Sequence, residues 1–310
     1  RKSAIKNGEW ILKKTQCLSS EKNVKRREKA AIVNELRQKY PLKDLLQLSG
    51  LARSTFYYYI QHPIKDKYKK EKQEILYIFL ANKGRYGYRR ILIVLRQKGY
   101  TINHKTVLKL MKELNLKGKQ RKNSKYRSYK GEIGKIADNL LKREFTATKP
   151  FEKLATDVTE FKVCNDKVYL SPVMDLYNRE IVSYSISLSP NLQQIREMLD
   201  GLFKKLPANA KPLFHSDQGW QYQHSEYQRL LSEHNIVQSM SRKGNCMDNG
   251  AMENFFGRLK VEMFYGEKFE SVKAFIDELK RYIDYYNNER ISLKLKGMSP
   301  VQYRTHSQAS

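Results

Sequence analysis

From Phe151 onward the chain alternates strand and helix signals in an order that few folds accommodate. LATDVTEFKV (154–163), KVYLSPVMDLY (167–177) and EIVSYSISL (180–188) are β-rich runs. Asn165-Asp166 and Tyr177-Asn178-Arg179 separate them as turns, so they read as an antiparallel meander. A helix follows near Leu192 to Leu206. LFHSD (213–217) is then a short buried strand, and a helix runs from about Ser225 to His234. IVQSM (236–240) is a fifth strand, and two more helices begin after Asp248-Asn249 and near 271. The order β-β-β-α-β-α-β-α predicts a mixed five-stranded sheet with helices on its faces.

The helix after Asp248 or Asn249, both good N-caps, places Met252, Phe255, Phe256, Leu259 and Met263 on one apolar stripe. Asn249, Glu253, Gly257 and Lys260 share a neighbouring face, with Glu253 and Lys260 two turns apart. A solvated charged face has the same pattern. The carboxylates elsewhere give the sharper reading. Asp157 sits mid-strand in the first run, where an unpaired carboxylate is costly. Asp217 ends the fourth strand, and strand ends in such sheets collect ligands. If the first and fourth strands are neighbours, Asp157 and Asp217 meet. Three converging carboxylates repel and raise one another's pKa. Oxygen-only clusters suit magnesium or manganese, and a pair of such ions can clamp an in-line phosphoryl displacement. By spacing alone Asp175 and Glu160 remain rivals.

The N-terminal half is of another kind. Residues 1–150 hold 39 Lys+Arg against 12 Asp+Glu, whereas residues 151–310 hold 21 against 20. That asymmetry points to a polyanion partner, most simply nucleic acid. Residues 1–30 read as a basic arm. Residues 31–62 read as helix-turn-helix: an apolar helix, a Ser49-Gly50 turn, and a second helix opening on Arg53 and Ser54. A second such unit spans 63–116. In it Tyr88–Gln97 ends at Gly99, Asn103 caps the next helix, and Lys105 and Lys109 lie outside. Arg85, Arg89 and Arg90 in GRYGYRR are candidate phosphate contacts. The basic stretch 117–131 has no acids and opens a linker over 117–150.

Cys17, Cys164 and Cys246 form no CxxC pair. This argues against a disulfide framework or structural zinc, and is the usage expected of a reducing cytoplasm. No membrane-length apolar run or signal peptide occurs.

The chain resembles the transposases of bacterial insertion sequences in the retroviral-integrase superfamily, specifically the second-reading-frame product of the IS-three family. The resemblance rests on TDVTEF (156–161), VMDLYNREIVSYSIS (173–187), HSDQGWQY (215–222) and SRKGNCMDNGAMENFFGRLKVE (241–262). YYNNERISLKLKGMSPVQY (285–303) and GRYGYRRI (84–91) also match. It implies an RNase H-like α/β core over about 151–265, helix-turn-helix domains before it and a helical extension over 266–310. It implies that Asp157, Asp217 and Glu253 are the catalytic, metal-binding triad, holding two Mg2+ (or Mn2+) ions. Lys260 becomes the family's basic residue seven after the glutamate. The activity implied is cleavage and strand transfer of double-stranded DNA, both element terminal repeats and target, by a homo-oligomer in the bacterial nucleoid. A chain that opens on Arg1 and lacks a leucine zipper further suggests the downstream part of a frameshift fusion, joined to or paired with the upstream-frame product. Trp220 stands where the family usually has Ser or a similar small residue, a departure that alters local contacts but leaves no triad position in doubt.

A non-catalytic helix-turn-helix regulator is the alternative, and the triad, for which a repressor has no use, tells against it. A structure-specific nuclease would lack the two helix-turn-helix units. A retroviral integrase would carry a His/Cys zinc module, whose spacing this chain does not offer.

Overall fold

The computed structural model describes residues 26–62, 66–120, 137–242 and 246–308. Most of the basic arm and the centre of the linker, residues 121–136, lie outside them. Two compact units result, dividing at Lys69/Lys70.

The first unit is three helices: α1 (Arg26–Leu36), α2 (Leu42–Ser49) and α3 (Arg53–Gln61). The arm's last residues are therefore helical, since Ala30 is fully buried. Val33, Leu36, Leu45, Leu46, Leu51 and Phe56 complete its core. Gly50, at φ 65°, closes α2 in the left-handed conformation that glycine adopts without strain. It turns the chain into α3, whose first residues Arg53 and Ser54 are exposed.

The second unit opens with α4 (Lys69–Ala81), α5 (Tyr88–Gln97) and α6 (His104–Glu113). The Asn103 side chain accepts from the Lys105 backbone N–H and caps α6, as the sequence predicts. Ile91, Leu95, Val107, Leu110 and Met111 are buried.

The sheet follows as β1 (Lys153–Thr156), β2 (Thr159–Val163), β3 (Asp166–Asp175), β4 (Ile181–Ser187), β5 (Leu213–Ser216) and β6 (Val237–Met240). The predicted first strand is two collinear segments. Both β1 and β2 pair antiparallel with β3, and the break falls at Asp157-Val158. The five expected strand positions thus hold six strands. β4 flanks β3, while β1, β5 and β6 run parallel. β3–β4 is antiparallel, with a register shift at Val173/Met174.

Helices α7 (Leu192–Phe203), α8 (Trp220–Gln223) and α9 (Ser225–Glu233) supply Met198, Leu199, Tyr222, Tyr227 and Leu231 to one core with Leu154, Val173 and Phe214. On the other, α10 (Gly250–Leu259) and α11 (Val272–Asn288) bury Met252, Phe255, Leu259, Phe275 and Leu279 against Ala155, Phe161, Val168 and Leu170. Alternating residues of β1 therefore face opposite cores, so the sheet lies between two helical layers. The helix α12 (Pro300–Gln308) closes the described chain. Among the described residues no helix is long and apolar enough to cross a membrane.

The outer ends of the predicted linker are docked. Lys119 reaches the Glu262 carbonyl at 3.3 Å and Glu267 at 2.7 Å. The Leu140 and Leu141 amides donate to Ser239 Oγ, and Leu141 is buried.

Candidate active site

Parallel pairing sets the first two carboxylates. Ala155 of β1 lies opposite His215 of β5. Two residues on, Asp157 and Asp217 leave the C-terminal ends of adjacent parallel strands, where backbone loops and ligands meet. Each is half-buried. The Val158 amide donates to Asp157 Oδ1 at 2.8 Å, and the Gly219 amide to Asp217 Oδ1 at 2.9 Å. These bonds hold each side chain at the turn its own backbone makes on leaving the sheet.

Glu253 comes from the opposite layer. Asn249 takes the N-cap position of α10, but its side chain does not cap the helix. Its amide instead donates to the Thr156 carbonyl at 3.1 Å, tying the start of α10 to the end of β1. Glu253 is one turn further along, within electrostatic reach of Asp157. Asp248, the other predicted cap, is fully buried and taken by Arg242, Arg143 and Asn139. The Arg242 hydrogen bond leads in holding its carboxyl far below the ordinary value, with Arg143 assisting.

Burial first, then the charge of Asp217 and that of Glu253, pushes the Asp157 carboxyl well above its ordinary range. Burial raises Asp217 as well. Beneath both lies Tyr222, fully buried, its hydroxyl 3.5 Å from Thr156 Oγ1. Desolvation and the nearby Asp217 and Asp157 push that hydroxyl up, so it stays a neutral floor. His215 is also buried, with Nδ1 2.9 Å from Ser239 Oγ. Burial depresses it to about 4, which keeps the imidazole neutral beside Asp217. Thr156, Tyr222, Asn249 and His215 support the site, and of these the sequence singled out only Asn249, as a helix cap. All four fall inside the motifs that carry the resemblance, His215 and Tyr222 within HSDQGWQY.

Lys260 follows α10 and opens a π-helical turn over Lys260–Phe264. Its ammonium sits 5.3 Å from the Phe161 ring centroid. Burial lowers its pKa, while Glu160 and Asp157 pull the other way. It is thus the cation beside the carboxylates. Both rivals are engaged elsewhere. Asp175 is buried and accepts from the Phe151 and Tyr177 amides, with burial raising it to about 6. Glu160 pairs with Lys167 at 3.2 Å and Tyr169 at 3.1 Å.

The cluster presents carboxylate oxygens alone, the donor set of hard divalent cations. Among the described residues no three His, Cys, Asp or Glu side chains stand close enough together to hold a metal ion as they are. Like charges repel, and their mutual repulsion is what an added cation would relieve.

The predicted DNA-contact residues divide. Arg53, Ser54, Arg89, Lys105 and Lys109 are exposed. Arg85 and Arg90 are committed within the protein. Arg85 is buried, donates to the Glu262 carbonyl at 3.2 Å and lies over the Tyr282 and Tyr285 rings at 5.2 and 4.6 Å. Arg90 donates to Glu262 Oε1 at 3.3 Å. A guanidinium so enclosed cannot reach a phosphate without local unfolding. We therefore expect Arg85→Ala to lower unfolding free energy by about 2 kcal/mol, through a lost buried hydrogen bond and two cation–π contacts. Arg89→Ala should leave the urea midpoint within roughly 0.5 kcal/mol. Equal midpoints for the two variants would contradict this division.

A mixed sheet with acidic residues at its parallel strand ends, faced by a glutamate-bearing helix, defines an integrase-core, RNase H-like protein. The chain matches the integrase core domain family over residues 147–246 and again over 253–307, and the HTH-like domain family over 65–124. It is 52% identical over 277 residues to InsK of insertion sequence element IS150 in Escherichia coli K12, covering 89% of this chain and 98% of that protein. It is 30% identical over 289 residues to transposase InsF of insertion sequence IS3A from the same strain, covering 91% and 100%. The HTLV-2 integrase catalytic core domain in complex with magnesium aligns over 51% of this chain and 98% of its own, at 16% identity and TM-score 0.36, a likeness that by itself defines no activity. The chain belongs to the insertion-sequence transposase family of IS150 and IS3, and it is a DNA transposase.

Proposed function

We propose that this transposase cuts and joins DNA at Asp157, Asp217 and Glu253, using two divalent cations held by those carboxylates. The observation that carries the reading is the Ala155↔His215 register, which sends Asp157 and Asp217 off adjacent strand ends. When bound, magnesium or manganese would offset the charge that develops on the transferring phosphoryl group and its attacking and leaving oxygens. The protein's part is positional. The Val158 and Gly219 amides orient two carboxylates, and the Asn249–Thr156 bond orients the helix bearing the third. Tyr222 keeps the base of the site free of competing charge.

Lys260 sits on the rim and supplies a point charge for a DNA phosphate beside the reacting bond. Lys260→Ala should weaken end-DNA engagement and joining by on the order of tenfold, the scale of one charge-assisted hydrogen bond. Thermal stability should fall only slightly, because a half-exposed cation–π contact contributes about 1 kcal/mol. Full joining activity in that variant would remove the assignment.

Arg53 and Ser54 at the start of α3, and Lys105 and Lys109 along the exposed side of α6, are the proposed DNA readers. The working form is proposed to be a homo-oligomer on DNA that acts with, or fused to, an upstream-frame product. The deciding experiment for the whole reading uses labelled element-end and scrambled DNA with purified protein, with and without magnesium. Cleavage and joining of end DNA that require the metal support it; metal-independent binding alone would favour a regulator.

A further inference from the structure

A cavity of about 240 Å3 lies on the flank of α10 away from Glu253. Gly250, Asn254 and Arg258 point there, one helical turn apart, whereas Glu253 and Lys260 belong to the adjoining face. Phe255 and Tyr286 give it an aromatic floor, their rings 4.9 Å apart and edge-to-face. Arg179, Arg258, Arg290 and Lys294 also line it, and none of the described lining residues is acidic.

The four cations are not equally free. Arg290 makes a bidentate pair with Glu262, at 2.7 Å for both bonds. Arg179 donates to the Phe145 carbonyl at 3.3 Å. Arg258 and Lys294 are both exposed, and neither has a hydrogen bond or an ion pair among the described residues. Burial, then the charges of Arg290 and Arg90, depress the Arg258 pKa. Exposed, unpaired cations gathered in a hollow with no acidic lining make a positive field that an entering anion would relieve. The first turn of α10 reaches the same hollow through Gly250 and Ala251, and no side chain caps it. The positive end of its dipole adds to the field there.

We propose that this cavity is a phosphate site, with Arg258 and Lys294 as its binding residues and the Phe255–Tyr286 floor accepting the sugar or base attached. The source that fits a DNA transposase is a backbone phosphate, held on the opposite flank of α10 from the triad. One helix would then fix two points of a DNA strand. This source, though not the phosphate chemistry, rests on the DNA-acting reading of the protein. A free nucleotide or inorganic phosphate is the other source of the same chemistry.

The test uses the full chain, the double variant Arg258→Gln/Lys294→Gln and the charge-keeping Arg258→Lys. Fluorescence anisotropy on end DNA across a salt series reads the DNA source. Losing one or two phosphate contacts should reduce the slope of log affinity against log salt by about one to two units, and Arg258→Lys should restore most of it. Melting temperature with added inorganic phosphate, pyrophosphate or a nucleoside monophosphate reads the free-anion source. Stabilisation of the unsubstituted chain but not of the double variant, with an unchanged salt slope, would assign the cavity to a small phosphate ligand. If neither slope nor phosphate stabilisation differs, the site does not exist. The magnesium-induced rise in melting temperature reports on the triad separately. Its persistence in the double variant would show that any loss lies in the cavity and not in the active site.

Discussion

Asp157→Asn is expected to abolish strand cleavage and joining, by on the order of a thousandfold or more, while binding of element-end DNA is retained. The magnitude follows from removing one ligand of the proposed cation site, whose charge stabilisation would be worth several kcal/mol at about 1.4 kcal/mol per tenfold in rate. Retained binding follows from the location of the charge: the exposed cations Arg53, Arg89, Lys105 and Lys109 are untouched. Stability should move in the opposite direction from activity. Asp157 is desolvated and repelled by Asp217 and Glu253, so its ionised form burdens the folded state. A neutral isostere relieves that repulsion. The variant should therefore melt no lower than the unsubstituted chain without metal, and should lose much of the stabilisation that magnesium confers. The measurement is a paired one: product formation on labelled ends, and melting with and without magnesium. Near-normal joining, or an unaltered response to magnesium, would take Asp157 out of the site. Asp217→Asn and Glu253→Gln should match its loss of activity.

Glu262→Gln should be the most destabilising of the conservative changes. The Glu262 carboxylate is buried and accepts from Arg290, Arg90 and Tyr282. Its backbone carbonyl accepts from Arg85 and Lys119. Burial opposes ionisation, but Arg290 and then Arg90 outweigh it and hold the carboxyl at about 2. Gln keeps the shape and leaves Arg290 buried without its counter-charge, a loss of about 3–5 kcal/mol. Linkage gives a similar figure. A fall from the ordinary 4.5 to about 2 is worth roughly 3 kcal/mol. The sign is that of a depressed acid. The stabilisation is complete above pH 4.5 and is lost as pH falls toward about 2. Urea melts at neutral pH should show the full gap between the two proteins, and the gap should narrow through that acid window. A gap that stays constant from neutral pH down to pH 3 would show that Glu262 is not the titrating group.

The same carboxylate explains why the chain does not divide where its charge does. The abrupt change in composition near residue 150 invites a cut between a DNA-binding half and a catalytic half. Yet Arg85, Arg90 and Lys119 from the basic half all close on Glu262, and the Tyr86 hydroxyl accepts from the Ile291 amide at 3.0 Å. A fragment beginning at 151 would leave the buried Glu262–Arg290 pair without the Arg85, Arg90 and Lys119 contacts. The compact division falls instead at Lys69/Lys70.

What the sequence determined by itself was local or periodic. Hydrophobic spacing located α5 at Tyr88–Gln97 and α11 over nearly all of Val272–Asn288. It also located the strands around LFHS and VQSM. Asn103 announced a cap, because capping depends on a bond two residues away. The three carboxylates were legible through their motif, and the strand adjacency that would unite two of them could be posed as a condition. Only the tertiary structure could meet that condition, because pairing between β1 and β5 joins residues about sixty positions apart, and periodicity carries no register. It also decided that the first strand breaks at Asp157, and that Asn249 bonds Thr156 rather than capping its own helix. Finally, it decided which arginines of GRYGYRR face water. Arg85, Arg89 and Arg90 are alike in sequence, but burial assigns two of them to Glu262 and leaves one exposed. A charge's role depends on what surrounds it, and the surroundings of Arg85 are supplied by residues nearly two hundred positions away.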